Sequence, residues 1–418
     1  MIKKVLILSI LASSLFSQFC QAQNNASPYS IIGIGDIEKS SFDRTTGMGY
    51  AGMALSSNRF INNSNPASYS FLDDKFFNIE LAARFKNVNY SGTPITSLSD
   101  QSSDAQFKKI VVAMKLKPRW GAALGILPFS NTNYSFYGNK SVIGTNYTVP
   151  AYYDGSGSIS QFFFANSYKL NNNFSIGLHA AYLFGQQNQN ETVVSGVSDS
   201  ILNTSRKVSI SSGYFKTGFQ YNHKLSKTVQ VFVGGTASFK TQISGKYHLL
   251  VTDGNTSLVD NTNYKTQVFT LPAQYTGSIA TKLRDKFTIA VDYSFQNYSN
   301  LNYKGLGYSI VNSNRISSGI EFSKKQTFRN LSFEKHFFQA GFFYSNSYLQ
   351  INNQPINDYG FTVGGGFNAL RSNLGVQLQL EVGKLGTTSY NLIQQNYVQA
   401  TLILSYRDFW FVRVKQYD

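Results

Sequence analysis

Alternation with a period of two, sustained over long stretches, is the feature that most narrows the folds open to this chain. Phe77, Ile79, Leu81, Ala83 and Phe85 fall on one face of an extended segment, with Asn78, Glu80, Ala82, Arg84 and Lys86 on the other. Leu374, Val376, Leu378, Leu380 and Val382 oppose Gly375, Gln377, Gln379, Glu381 and Gly383. Val398, Ala400, Leu402, Leu404 and Tyr406 oppose Gln399, Thr401, Ile403, Ser405 and Arg407. Successive strand side chains point to opposite faces, so each stretch reads as a strand with a nearly uniform apolar face and a polar one. A soluble sandwich has shorter strands and fewer charges on its inner face. No run of about 18 apolar residues exists beyond the N-terminus, which excludes membrane-spanning helices. Charged residues are only 14% of the 418 and aromatics reach 15%, a richness that argues against disorder. The pattern predicts an all-β, antiparallel transmembrane β-barrel, greasy outside and wet inside.

Turns set the strand number. Five segments share a Leu, three residues, then an apolar residue: Leu116–Trp120, Leu170–Phe174, Leu225–Val229, Leu283–Phe287 and Leu370–Leu374. An irregular sixth lies near Lys324–Leu331. Longer polar segments lie between them, near Ser91–Gln106, Phe136–Gly157, Gln187–Arg206, Leu250–Tyr264, Asn297–Asn312, Asn352–Asn357 and Gly386–Gln395. Six short turns and seven longer loops predict fourteen strands, an even number as closure of such barrels requires. The short turns are expected at the periplasmic end and the loops outside the cell.

The N-terminus sets the compartment. Lys3 and Lys4, the apolar Val5–Phe16 and the small residues of Cys20-Gln21-Ala22 read as a signal peptide over 1–22. Export together with the barrel pattern predicts the outer membrane of a Gram-negative cell. A single cysteine leaves no disulfide framework and no Cys-based metal cluster. The formal charge of +16 suits acidic sugars or lipopolysaccharide as a neighbour. Nucleic acid is not expected as a partner of an exported chain without a basic run longer than two residues.

Residues 23–73 break the strand pattern. They are rich in Gly, Ser and Asn, with Ile31-Ile32-Gly33-Ile34-Gly35-Asp36, Gly47-Met48-Gly49-Tyr50-Ala51-Gly52 and Asn65-Pro66-Ala67. Irregular backbone is tolerated at membrane depth only when protein encloses it, so this segment is expected to be a hatch folded inside the lumen. The barrel is expected over 74–408 and a periplasmic tail over 409–418. The glycines are not phosphate loops, because no Gly-Lys-Ser/Thr follows them.

Catalytic chemistry is absent from the pattern. His179, His223, His248 and His336 are scattered without ligand spacing, and no nucleophile, histidine and acid stand out together. No enzyme activity and no cofactor are expected. Asp292 and Glu321 are expected to pair with lumen Arg or Lys. Pro128 sits in the middle of the expected third strand, Trp120 to about Phe136. A proline cannot donate to the ladder, so it predicts a local break there or a bulge near the rim.

Several motifs carry a family resemblance: Ser27-Pro28-Tyr29-Ser30 with Gly33-Ile34-Gly35-Asp36, Gly47-Met48-Gly49, Asn65-Pro66-Ala67, Trp120-Gly121 with Leu127-Pro128-Phe129, Tyr182-Leu183-Phe184-Gly185 and Asp408-Phe409-Trp410-Phe411. In this order they resemble the FadL-like outer-membrane transporters of hydrophobic compounds, in a divergent branch common in Bacteroidetes. The resemblance implies a fourteen-stranded barrel plugged by an N-terminal hatch. Ligands would be captured from outside and leave sideways at a kinked third strand. It makes Asn65, Pro66, Ala67, Pro128 and Phe129 the ligand and gate candidates, with the Asn-Pro-Ala near the strand-three gap. The implied function is passive uptake of a fatty-acid-like hydrophobic small molecule or lipid. Some FadL-like barrels serve secretion, so the alternative is a structural or shuttle component of an outer-membrane secretion or assembly complex, with partner proteins. An apolar lumen pocket would favour uptake, and a filled lumen the alternative.

Overall fold

The structure, a computed structural model, describes residues 27–93, 100–142, 144–194, 201–301, 304–305, 307–328, 331–368 and 373–409. The expected leader and all but the first residue of the expected tail lie outside these residues. So does the centre of the turn near Lys324–Leu331.

Fourteen antiparallel strands form one closed sheet. In chain order they are β1 Phe76–Gly92, β2 Gln101–Lys117, β3 Trp120–Asn131 continued by Tyr134–Ser141, β4 Thr148–Lys169, β5 Phe174–Val194 and β6 Ile201–Lys224. Then follow β7 Val229–Ser238 continued by Thr241–Asp253, β8 Thr256–Leu271 continued by Gln274–Leu283, β9 Phe287–Gln296 and β10 Ser313–Phe328. The last four are β11 Leu331–Ile351, β12 Gln354–Asn368, β13 Leu374–Gly386 and β14 Ile393–Phe409. Each strand pairs with the next in sequence, and β1 pairs with β14 from Phe76 opposite Phe409 to Gly92 opposite Ile393. Closure removes the edges that an open sheet would expose to lipid.

The two faces separate as the alternation requires. On β13, Leu374, Leu378, Leu380 and Val382 are exposed while Gln377, Gln379 and Glu381 are buried. On β14, Val398, Leu402 and Tyr406 are exposed while Gln399, Thr401 and Ser405 are buried. Apolar side chains outside and polar side chains inside invert the arrangement of a soluble protein, and suit a wall between lipid and a wet interior.

The strands run further than the alternation predicts. Much of Phe136–Gly157, Gln187–Arg206 and Leu250–Tyr264, expected as loops, is strand. Asn352–Asn357 narrows to a two-residue turn, with Asn352 and Asn353 both left-handed (φ 49° and 61°). Such a turn matches the twist of a tight hairpin, and Asn tolerates positive φ better than most residues. The 24-residue β6 spans roughly 80 Å at about 3.3 Å per residue, well beyond the thickness of a bilayer. Above the membrane both faces meet water, so the apolar alternation fades while the backbone ladder continues.

An arginine placed on the apolar face tests the orientation of the wall. Leu378→Arg is expected to destabilise the folded barrel by about 2–4 kcal/mol if the position lies near the bilayer midplane. Denaturant titration in phospholipid vesicles, followed by heat-modifiable migration on gels, measures it.

Candidate functional site

Among the described residues strand pairing lapses beside Pro128, and also between β6 and β7, where Ser211–Phe215 have no ladder partner on β7. β3 pairs with β2 only from Trp120 to Ile126. Beyond that, Leu127–Asn131 keeps its partner on β4 but has none on β2 among the described residues. Pro128 lies at this point, and the β3–β4 register shifts between Pro128 and Ser130. A residue without an amide thus sits where one ladder ends and the other bulges. The strand is interrupted again at Thr132 and Asn133.

The N-terminal segment takes up the free edge. Asp36 and Ile37 pair antiparallel with Asn131 and Ser130, and the Glu38 amide donates to the Phe129 carbonyl at 2.9 Å. Gly35 makes the approach feasible. Its φ of +82° is left-handed, and a Cβ there would stand 2.5 Å from the Asn131 carbonyl oxygen. Side chains then reach across to the other side of the gap. The Glu38 carboxylate accepts from Arg84 of β1 at 3.1 Å and lies 3.7 Å from the Lys108 ammonium of β2. A bulge opposite Ala82 and Ala83 inserts Lys108 into β2, so that neighbouring Lys108 and Lys109 are both buried. Lys109 donates to Glu80 at 2.5 Å and to the Phe42 carbonyl at 3.2 Å. Residues 36–38 therefore stitch β3, by backbone, to β1 and β2, by charge.

Further ties surround the same segment. The Arg44 guanidinium lies between two carboxylates, Glu321 at 2.7 and 2.8 Å and Glu334 at 2.7 and 2.8 Å, and over the Phe337 ring at 3.9 Å. Glu321 thus finds an arginine as its charge suggests. Asp292 does not: it accepts from the Gly52 and Met53 amides at 3.0 Å each and from Ser278. Gly49 donates to Thr362 at 2.7 Å, Tyr50 to Glu381, and the Lys39 ammonium pairs with Asp358. Tyr29 donates to the Ile393 carbonyl at 2.5 Å.

The five expected site residues do not come together. Asn65 caps the short 3-10 helix Pro66–Phe71, accepting from the Ala67 amide at 3.0 Å, and donates to the Phe219 carbonyl of β6 at 2.9 Å. Ala67 accepts from Ser175 of β5 at 2.9 Å. Gly177 of β5 lets this turn touch the wall, since a Cβ there would lie 2.4 Å from the Ala67 nitrogen. The Asn-Pro-Ala turn thus seats on β5 and β6, not at the β2–β3 gap where Pro128 and Phe129 lie. Phe129 packs in an apolar cluster with Ile34, Ile159, Leu183 and Phe269. The partner of the gap, residues 36–38, was not among the expected site residues; the left-handed glycine before Asp36 was its visible signal.

A cavity of about 400 Å³ opens beside the stitched segment. Glu38, Lys39, Arg84, Arg315, Asp358 and Glu381 are among the residues that line it. The Arg315 guanidinium stacks on Tyr50 at 4.3 Å. Burial alone would raise the Glu38 carboxyl, but Arg84 and Lys108 outweigh it and hold it below the usual range. Burial pushes the Tyr29 phenol up to about 12. Among the described residues no group of three or more His, Cys, Asp or Glu side chains is placed to hold a metal.

Two variants test these ties. A depressed carboxyl contributes stability above its unfolded value, which is lost as pH falls through the folded value. The Glu38 tie is therefore expected to hold at neutral pH and to fail only as pH falls below the ordinary carboxylate range. Glu38→Gln should weaken it at pH 7 by about 1.5–3 kcal/mol, read as faster hydrogen exchange over 35–41 and as leak conductance in planar bilayers. Arg44→Met strands two carboxylates and should loosen the segment by about 3–5 kcal/mol. Adding Glu321→Gln and Glu334→Gln should restore much of the resistance of residues 42–60 to protease.

With this geometry in place, the chain can be set beside known proteins. A FadL homologue from Pseudomonas aeruginosa superposes with a TM-score of 0.61 at 13% identity, covering 90% of this chain and 100% of that one. The toluene transporter TodX of Pseudomonas putida gives 0.60 at 14% identity, with the same coverage. The Ralstonia pickettii toluene transporter TbuX gives 0.53 at 16%, covering 87% and 97%. At such identities the likeness establishes a shared fold, the FadL-type barrel. No curated protein sequence matches significantly. One family model matches residues 1–418, the entire chain, and by that match the protein belongs to the BamG family.

Proposed function

We propose that the chain is an outer-membrane barrel whose residues 27–73 form a hatch seated in the lumen, and that it works as a structural component of an outer-membrane protein assembly complex. The observation that carries this reading is the charge of the hatch interface. Glu38 with Arg84, Arg44 with Glu321 and Glu334, and Lys39 with Asp358 tie hatch to wall. The cavity beside them is lined by both signs of charge. An aliphatic ligand entering that space would strip water from these groups and pair with none of them. A hatch held this way favours a closed scaffold over a conduit. Membership of the BamG family supports the same class, its name pointing to an assembly complex.

A second reading keeps one specific observation on its side. The β2–β3 pairing stops at Ile126, next to Pro128 and Phe129, and among the described residues it is 36–38 that pair with the free edge. Displacing them would open the wall to lipid beside the apolar cluster of Phe129, Ile34 and Phe269. Uptake of a hydrophobic small molecule with lateral exit at this gap is that alternative. The toluene transporters TodX and TbuX share the barrel fold on which it would operate.

Depleting the protein separates the two. The assembly reading expects the amounts of other folded barrels in the outer membrane to fall together, with unfolded precursors accumulating in the periplasm. Unchanged levels of other barrels, with loss of accumulation of a labelled fatty acid or monoaromatic compound, would overturn it in favour of uptake.

A further inference from the structure

The part of the sheet that rises above the membrane ends in an edge that nothing among the described residues covers. β9 stops pairing with β8 at Gln296 opposite Gln274. Above that point β8 pairs only with β7, from Leu271 opposite Thr241 to Thr256 opposite Asp253. Just above the break, Phe269 and Leu271 are covered by Tyr298 and Ile310. Higher up, every residue from Thr256 to Asn263 is exposed, on both faces of the strand. Leu258 and Val259, at 56% and 40% exposure, are among them.

The corresponding edge on the far side of this sheet is protected. It belongs to the Tyr134–Ser141 part of β3, which pairs only with β4. The 3-10 helix Pro28–Ile31 packs against it, the neighbouring Asn133 amide is taken by Ser30, and its tip carries Lys140 paired with Glu191. Natural sheets blunt their edges with lysine, proline, bulges or a covering segment. From Thr256 to Asn263 there is no lysine and no proline. The register shift opposite Val251 and Thr252 leaves Leu258 of β8 as a bulged residue near the hairpin end, and a straight run continues from Val259 to Asn263.

We propose that the Thr256–Asn263 edge of β8 is a docking site for an extended segment of another protein, which joins the sheet as an added strand. Backbone amides and carbonyls pointing away from β7 supply the recognition, so the occupant is a strand and not a helix. The five residues of the unbroken run, Val259 to Asn263, offer roughly 16 Å of ladder. Between Asp253 and Asn263 the only charged residues are Asp253 and Asp260. His248 lies 2.8 Å from Asp260, yet the Asp260 side chain remains 65% exposed. Across the span itself, with Lys265 just below it, the charge is negative; this favours a segment carrying Lys or Arg opposite Asp260 and disfavours a second copy of this chain, which would bring the same carboxylates to the joint.

The inference goes beyond the assembly reading and fails separately from it, because its readout is local to β8. Hydrogen exchange is compared between the protein in native outer membranes and the same barrel purified alone in detergent. Alternate amides from Thr256 to Asn263 should exchange about tenfold slower in the membranes. Equal rates, or protection that persists in the purified barrel or follows its dimerisation, would overturn the proposal. Proline placed in turn at Ser257, Leu258, Val259 and Asp260 samples amides on both sides of the strand. Proline at an outward amide should lower co-migration of the partner on native gels by about tenfold, with heat-modifiable migration of the barrel unchanged. Alanine at Ser257, Leu258 or Val259, which keeps the Asp260 carboxylate, should leave co-migration intact. Loss with alanine as well as proline, or with neither, would also overturn it.

Discussion

Every peptide group at membrane depth needs a partner, and the rest of this structure follows from how that need is met. Thirteen neighbouring pairings and the β1–β14 seam satisfy the wall almost everywhere. At Pro128 the β2–β3 ladder ends, and the missing strand is supplied by three residues that precede the barrel in the chain, Asp36 to Glu38. An N-terminal segment that pairs with β3 in this way takes the place of a strand in the wall. That explains why its contacts concentrate charge beside the gap. Backbone pairing holds it to β3, and the salt bridges from Glu38 hold it to β1 and β2.

A wet interior makes charged ties feasible where a dry core would not. Moving an ion pair out of water costs more than its attraction returns unless further hydrogen bonds complete it. Arg44 meets that condition, with four short bonds to two carboxylates and a ring beneath it. Glu80 meets it too, taking Lys109 and the Ile61 amide together. Such sites lose most when one partner is removed, which makes them good devices for holding one arrangement. Glycines on the facing wall do the complementary job, since Gly177 admits the Asn-Pro-Ala turn to backbone contact.

Much of the barrel was legible because lipid writes a strong pattern. Leu378 and Val382 outside, Gln377 and Glu381 inside, repeat a contrast that a sequence displays directly. Strand number followed, because the short turns interrupt that contrast at regular intervals. The upper strands were not legible: around His248 or Asn190 both faces are solvated, and nothing in the side chains marks the continuing ladder. Pro128 was legible as a break, because its missing amide is a local fact. What fills the break was not, because the contact between Asp36 and Asn131 joins residues far apart in sequence. The seat of Asn65 on β6 was hidden for the same reason, and Asp292 misled because carboxylates can be satisfied by backbone amides as well as by cations.

Sharing a barrel with toluene transporters does not transfer their work, since function resides in sites grafted on a fold. Two features of one wall point in opposite directions here. The unpaired β3 edge is the sort of seam through which an apolar compound could pass into lipid. The segment that closes it is bound by charges that an apolar compound cannot replace, so opening would have to be driven by something that offers Arg84, Lys108 and Glu38 new partners. A hydrophobic solute offers none. A protein segment does, through its own carboxylates, amides and carbonyls. The chemistry of the seal therefore fits a barrel that responds to other chains better than one that responds to its solute, and that asymmetry would hold even if the seam does open.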